Sequence, residues 1–219
     1  AKSNPAELNV EELLYSATLF DNDADKLAIY ETAIKQFPND WRGFNDAGMI
    51  LFEMGKVAQA KTNFDKANTL SANNKVVKNN LGAVELKNGN VKEAEVLFGA
   101  ATGAGDEVNY NKGIVAIMKG DYKAAVDYFG KCNCDNAALA NLLAGNNNEA
   151  MKKLNDNKEG SALTSYLKAV IAARNNDTNA VLSNLKVACD KDAAMKQLAA
   201  TDIEFAKLFD NADFKAIVK

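Results

Sequence analysis

WRGFNDAGMILFEMGKVAQAKTNFDKANTLSANN, residues 41–74, reads as two amphipathic helices joined at a glycine. Phe44, Ala47, Gly48 and Leu51 recur at spacings of three and four, which places them on one face of a first helix. Gly55 supplies the left-handed position that stops that helix. Val57, Ala60, Phe64 and Ala67 form the apolar stripe of a second helix. The small Gly48 and Ala60 let the two backbones approach, and Ala67 does the same for whatever packs next. Ser71–Asn74 is polar and closes the unit.

The same spacing recurs along the chain: a small residue, Gly seven later, Ala twelve later, Phe or Leu sixteen later. Gly48–Gly55–Ala60–Phe64 is followed by Gly82–Gly89–Ala94–Phe98 and Gly113–Gly120–Ala125–Phe129, with Ala138–Gly145–Ala150–Leu154 as a degraded fourth copy. The intervals are 34, 31 and 25 residues. A period of this size points to stacked helical hairpins, each burying its stripe only against its neighbour. The three-residue shortening before Gly113 is expected in the turn between hairpins, and the falling period is expected to distort the later part of a regular superhelix.

Working outward, residues 7–40 form an earlier unit with Leu14 where the others have a small residue. Pro38 cannot continue a helix and marks its end. A unit from Lys75 ends in the glycine-bearing loop 102–106, and its successor covers about 106–131. A small hairpin, 135–154, turns at Gly145–Asn148. A sixth pair, Leu163–Arg174 and Thr178–Asp190, turns at Asn175–Asp177. Three short helical segments, 192–200, 202–209 and 211–218, carry Phe205, Phe209, Phe214 and Ile217 as anchors and are read as a cap over the last hairpin. The expected fold is all-α: a right-handed superhelical solenoid of about six antiparallel helical hairpins in a single domain, 1–219. Regular repeats are expected over about 7–131, degenerate repeats over 132–190, with helices shortened beyond Ala138, and capping helices over 191–219.

The 219 residues are 47% hydrophobic and 25% charged, a globular composition. A net charge of −3 and only two arginines, Arg42 and Arg174, give no basic face for nucleic acid. The absence of histidine excludes a Ser-His-Asp triad, a Cys-His pair and any imidazole zinc site. No apolar run reaches the roughly 18–20 residues of a membrane span, so this segment is not expected to insert. The chain starts at Ala1 without Met, which is read as a piece of a longer or processed chain.

Three cysteines, Cys132, Cys134 and Cys189, are an odd number and argue against a disulfide framework. Cys132–Asn133–Cys134 is open to a metal or redox role, but two ligands without His are a weak signal, and small residues near a helix end are the preferred reading. Asp21–Asn22–Asp23–Ala24–Asp25 opens like a calcium loop, yet Lys26 and Thr32 stand where such a loop needs Gly and Glu. A helix N-cap with acidic first-turn residues is preferred. The glycines of 99–105 fit no phosphate-binding pattern. No cofactor, metal or catalytic residue is proposed.

These residues resemble the tetratricopeptide repeat family, strongly across 41–101, well across 7–40 and 106–131, and weakly beyond 155. Tyr30, Ala33, Pro38 and Asn39 match that pattern in the first unit. The stretches NVEELLYSATL, QFPNDWRGFNDAG, NLGAVELKNGN and FDNADFKAIV also resemble the repeat region of large bacterial cell-envelope proteins. The resemblance implies a peptide or protein groove lined by the first helix of each hairpin, at the second, fifth, sixth, ninth, twelfth and thirteenth places of a unit. Carried onto this chain, these places give Asn45, Asp46, Met49 and Phe52 in one unit. Asn79 and Asn80 follow in the next, and Tyr110, Asn111 and Ile114 in the third. Arg42, Glu53 and Val76 also fall on such places.

The sixth place is Asp46, Asn80, Asn111 and Asn136 in four successive units. Such a row can hydrogen-bond an extended peptide backbone, or it can bond the neighbouring helix; the second reading is preferred, and both can hold. The residues of the carboxylate clamp found in some relatives are absent. The expected function is a non-catalytic interaction scaffold that binds a peptide segment or partner domain. The alternative is a rigid spacer or assembly module in a longer envelope protein, and a regulatory subunit of an enzyme ranks third. The envelope resemblance implies periplasm or outer membrane; free cysteines would suit the cytoplasm.

Overall fold

The computed structural model describes residues 7–219. Its described residues form fourteen α-helices and a 3-10 helix, with no strand among them. In chain order these are α1 (Val10–Ala17), α2 (Asp23–Gln36), α3 (Trp41–Glu53), α4 (Val57–Leu70), α5 (Lys75–Lys87), α6 (Val91–Ala100) and α7 (Asp106–Met118). Then come α8 (Tyr122–Phe129), α9 (Asp135–Leu143), α10 (Asn147–Asp156), α11 (Ala162–Arg174) and α12 (Thr178–Lys191). The chain ends with α13 (Ala194–Thr201), the 3-10 helix Ile203–Leu208 and α14 (Ala212–Val218). The first twelve helices are connected as six helix–turn–helix pairs. The chain packs as two compact units, Ala1–Val115 and Ala116–Lys219.

One turn is used five times. Gly55, Gly89, Gly120 and Gly145 all have φ between +75° and +83°. The residue after each closes a bond back five residues: Lys56 to Leu51, Asn90 to Glu85, Asp121 to Ala116 and Asn146 to Asn141, at 2.8–2.9 Å. This satisfies carbonyls that a helix end leaves bare. The fifth turn is made by Asn176, at φ +57°, with Asp177 bonded to the carbonyl of Ala172 at 3.0 Å. Asn tolerates the left-handed region better than other residues with a side chain. Counting from it gives Ala169–Asn176–Val181–Leu185, a fifth copy of the spacing that a search for glycine passes over; Ala169, Val181 and Leu185 are all buried.

Inside the hairpins, the small residue and the aromatic sixteen later share one space. A methyl added to Gly48 would stand 2.7 Å from Cε1 of Phe64, and one on Gly82 would stand 2.6 Å from Cε1 of Phe98. In copies four and five the pair is Ala138 with Leu154 and Ala169 with Leu185, every one of them buried. A larger residue at the first position thus accompanies a smaller one at the second, as close packing requires.

The period falls for a different reason from the one expected. α6 has ten residues where α4 has fourteen, while the turn after α6, 101–105, is one residue longer than 71–74. The missing three residues therefore come out of a helix, not out of the turn between hairpins. The next deficit comes from α8, with eight residues, and from α9, whose first turn is missing so that Ala138 is its fourth residue. Helices do shorten in α9 and α10, with nine and ten residues, but α11 and α12 regain thirteen and fourteen. The spacing from Ala138 to Ala169 is again 31.

At the C-terminus, Phe205 and Phe214 are buried, with Phe205 edge-on to Tyr166 at 5.6 Å and 6.0 Å from Phe214. The hydroxyl of buried Tyr166 donates to Oδ2 of Asp202 at 2.7 Å, and Nε of Arg174 donates to both carboxylate oxygens of Glu204 at 3.1 Å. These bonds tie the 3-10 helix to α11, while α13 and α14 pack on α12. The three terminal segments thereby cover the apolar side of the α11–α12 pair.

Candidate partner-binding face

All nine residues expected to line a groove lie within Ala1–Val115, on α3, α5 and α7. α3 starts at Trp41 because Oδ1 of Asp40 accepts from the Arg42 amide at 2.9 Å, and α5 starts at Lys75 because Asn74 caps Val76 and Val77. α3 and α5 are both thirteen residues long and also touch each other directly, which brings equivalent places of successive units side by side.

The asparagines form an offset ladder. Nδ2 of Asn80, at the sixth place of its unit, donates to Oδ1 of Asn45, at the fifth place of the unit before, at 2.8 Å. Nδ2 of Asn111 donates in the same way to Oδ1 of Asn79 at 3.0 Å. Asn45 in turn donates from Nδ2 to Oδ1 of Asp46 at 3.1 Å and to Sδ of Met49 at 3.7 Å. Asn45 and Asn79 are buried, at 3% and 7% exposure. An unmatched amide there would cost about 1–3 kcal/mol, so the bonds fix the spacing of the three helices. The neighbouring-helix role foreseen for these side chains is therefore present. Oδ1 of Asn80 and Oδ1 of Asn111 accept no hydrogen bond among the described residues, and Asn80 and Asn111 are half-buried.

Beside the ladder, Met49, Val76 and Tyr110 are exposed at 42%, 45% and 37%. Phe52 turns instead toward the core made by Leu51, Phe64 and Leu81. Ile114 is half-buried. The structure thus joins Asn45, Asp46, Met49 and Asn80 in one connected group and Asn79 with Asn111 in a second.

Charge on this face is mostly spent internally. Arg42 donates to Asp40 from Nη2 at 2.7 Å and to Glu11 from Nη1 at 3.4 Å. Hydrogen bonds from Arg42 hold the Asp40 carboxyl below the usual carboxylate range, and Asp40 raises Arg42 in return. Asp46 differs: burial pushes its carboxyl up, against the single bond from Asn45. Tyr30 of α2, which stands on none of the groove places, is raised first by burial and then by the carboxylates of Asp46 and Glu53. Its signal in the sequence was an aromatic at a packing place, which says nothing of the acidic residues it meets.

Elsewhere, Asn22 caps α2 through a 2.8 Å bond from the Asp25 amide, which accounts for the acidic run 21–25 as a helix start. Among the described residues no three His, Cys, Asp or Glu side chains converge on a metal position, and no helix is long and apolar enough to cross a membrane. The preferred reading of Cys132 and Cys134 needs correction: their sulphurs are bonded to each other in the loop between α8 and α9, while Cys189 is free and buried.

Residues 42–74 match the family model described as tetratricopeptide repeat. No curated protein sequence matches the chain. Among solved structures, a chain of the APC/C hetero-tetramer Cut9–Hcn1 superposes with a TM-score of 0.77 at 14% identity, covering 93% of this chain and 42% of that one. Pseudomonas aeruginosa PilF gives 0.69 at 15% identity, covering 91% and 96%. PilW, a type IV pilus biogenesis factor, gives 0.70 at 17% identity, covering 91% and 97%. This chain spans well under half of the Cut9–Hcn1 chain it resembles. The all-helical architecture, the recurrent hairpin turn and these superpositions agree: the chain has the fold of tetratricopeptide solenoids and carries a tetratricopeptide repeat at residues 42–74.

Proposed function

We propose that the chain is a non-catalytic scaffold that holds an extended peptide segment of a partner protein along α3, α5 and α7. The observation that carries this reading is the asparagine ladder. It locks three successive helices in register; Oδ1 of Asn80 and Oδ1 of Asn111 accept no hydrogen bond among the described residues, and the same three helices expose Met49, Val76 and Tyr110. A peptide backbone supplies N–H donors for such oxygens, and alternate side chains meet apolar anchors between them. Because the register is set by internal bonds, binding costs little reordering.

Selection of displayed random peptides on the immobilised chain tests this. The selected peptides should share an apolar spacing and bind Met49→Ser and Tyr110→Ser variants about tenfold more weakly, the equivalent of about 1.4 kcal/mol, with helical content unchanged. Peptides that bind the variants as well as the parent reject the face. The spacer reading makes a different demand: in a longer protein the same face would be shielded from proteolysis by a neighbouring domain. An envelope location is part of the proposal, resting on the resembling stretches named above; fractionation of the native host tests it, and recovery in the cytoplasm overturns it.

A further inference from the structure

We propose that Cys132 and Cys134 form a reversible thiol–disulfide exchange site whose co-reactant is a thiol. The bond spans one residue, Asn133, and closes only the loop between α8 and α9. A cross-link stabilises a fold mainly by constraining the unfolded chain, and least when the closed loop is shortest. A staple here would therefore contribute little to the unit Ala116–Lys219.

The loop is already held without it. The Gly130 amide donates to the carbonyl of Val126 and the Cys132 amide to that of Phe129, each at 3.0 Å. Nζ of Lys153, a buried residue at 8% exposure, reaches from α10 to donate to the carbonyls of Gly130 and Cys132, both at 3.0 Å. Among the described residues Lys153 makes no bond to a carboxylate, and its ammonium group is held against this loop.

The two sulphurs are unequal. Cys134 is the N-cap of α9, and its side chain accepts no capping bond. A thiolate formed there sits at the positive end of a nine-residue helix, which favours the ionised form. Asp135 follows directly and opposes this. Its carboxylate, however, accepts from Nδ2 of Asn157 at 3.0 Å, Oγ1 of Thr164 at 2.7 Å and Oγ of Ser161 at 2.5 Å, and so is drawn toward the start of α11. Cys132 and Cys134 are half-buried on either side of exposed Asn133, so the pair lies at the surface and not in the core.

The better-stabilised thiolate leaves faster. An incoming thiolate attacks Sγ of Cys132, the S–S bond breaks, and its electron pair departs on Sγ of Cys134. A second thiolate attacks the external sulphur of the mixed disulfide and expels Cys132. Two thiols are oxidised to one disulfide, the protein disulfide gains two electrons, and the two thiol protons end on Cys132 and Cys134.

The test is equilibration of the native chain in glutathione buffers of graded reduced-to-oxidised ratio, followed by alkylation and intact mass. In excess reduced glutathione the folded protein should gain two alkyl groups at Cys132 and Cys134. In oxidised glutathione it should lose both again, with the helical signal preserved and the melting midpoint moving by no more than about 4 °C. Cys134→Ser should accumulate one glutathione adduct, at Cys132; the Cys132→Ser/Cys134→Ser double variant should fold and take none. The proposal is overturned if the bond opens only in denaturant, if opening melts the helices, or if the two cysteines never pair in oxidised glutathione.

Discussion

Gly82 and Gly99 lie in the two helices of one hairpin, and the same substitution should stabilise the chain at Gly99 but not at Gly82. At Gly82 an added methyl would sit 2.6 Å from Cε1 and 2.7 Å from Cδ1 of Phe98. That ring is fully buried, so it has no solvent to swing into. Overpacking of this kind costs about 1–3 kcal/mol. Against it stands the gain of Ala over Gly inside a helix, about 1 kcal/mol. At Gly99, which is exposed, the methyl meets nothing within 4 Å, so only the gain applies. The gain is smaller at Gly99, the penultimate residue of α6, than at mid-helix Gly82, so the difference between the two variants gives a lower bound on a clash of about 1–3 kcal/mol. Urea unfolding followed by circular dichroism supplies the measurement. Gly99→Ala should unfold at higher urea than the parent and Gly82→Ala at lower or equal urea.

A Phe98→Leu change should rescue Gly82→Ala, with a favourable coupling of about 0.5–3 kcal/mol in the double-mutant cycle. The chain already uses that combination at Ala138 with Leu154 and at Ala169 with Leu185. The reasoning is refuted if Gly82→Ala stabilises as much as Gly99→Ala, or if the cycle shows no coupling.

Asn80→Ala removes the donor to buried Asn45 and should cost about 1–3 kcal/mol, read as a lower urea midpoint; an unchanged midpoint would mean the ladder carries no weight. Asn176→Gly relieves a side chain held at φ +57° and should raise the melting midpoint, by up to about 1 kcal/mol equivalent. Asp46 has a folded pKa raised by burial, so its contribution to stability is whole below its unfolded value of about 3.9 and is lost as pH rises through the folded value. Asp46→Asn should therefore gain on the parent as pH is raised from about 3 to about 7; a gap independent of pH in the unfolding curves would contradict this.

Much of the fold could be read from residues 41–74 and their echoes. The Gly55, Gly89, Gly120 and Gly145 turns were visible because few other residues adopt their backbone conformation freely. The Asn176 turn does not show itself as a member of the series, because Asn fills the same conformation without the same letter. The spacing alone puts the three missing residues before Gly113 in a turn, whereas α6 gives them up. A count of residues between landmarks does not say which element is shorter. For the face, residue types at the fifth and sixth places were legible, but the direction of each hydrogen bond was not. The pairs Asn45–Asn80 and Asn79–Asn111 are 35 and 32 residues apart, and their joining depends on how neighbouring helices slide.

By itself, then, the sequence determined the hairpin, its period and its turns, because helical periodicity and the left-handed position act within a few residues. Only the tertiary structure decided that Asn80 and Asn111 spend a donor on the preceding helix, that Asp46 is left with one bond, and that Cys132 pairs with Cys134 beside Lys153. Each of these depends on distances between side chains that the backbone brings together only after the helices have packed.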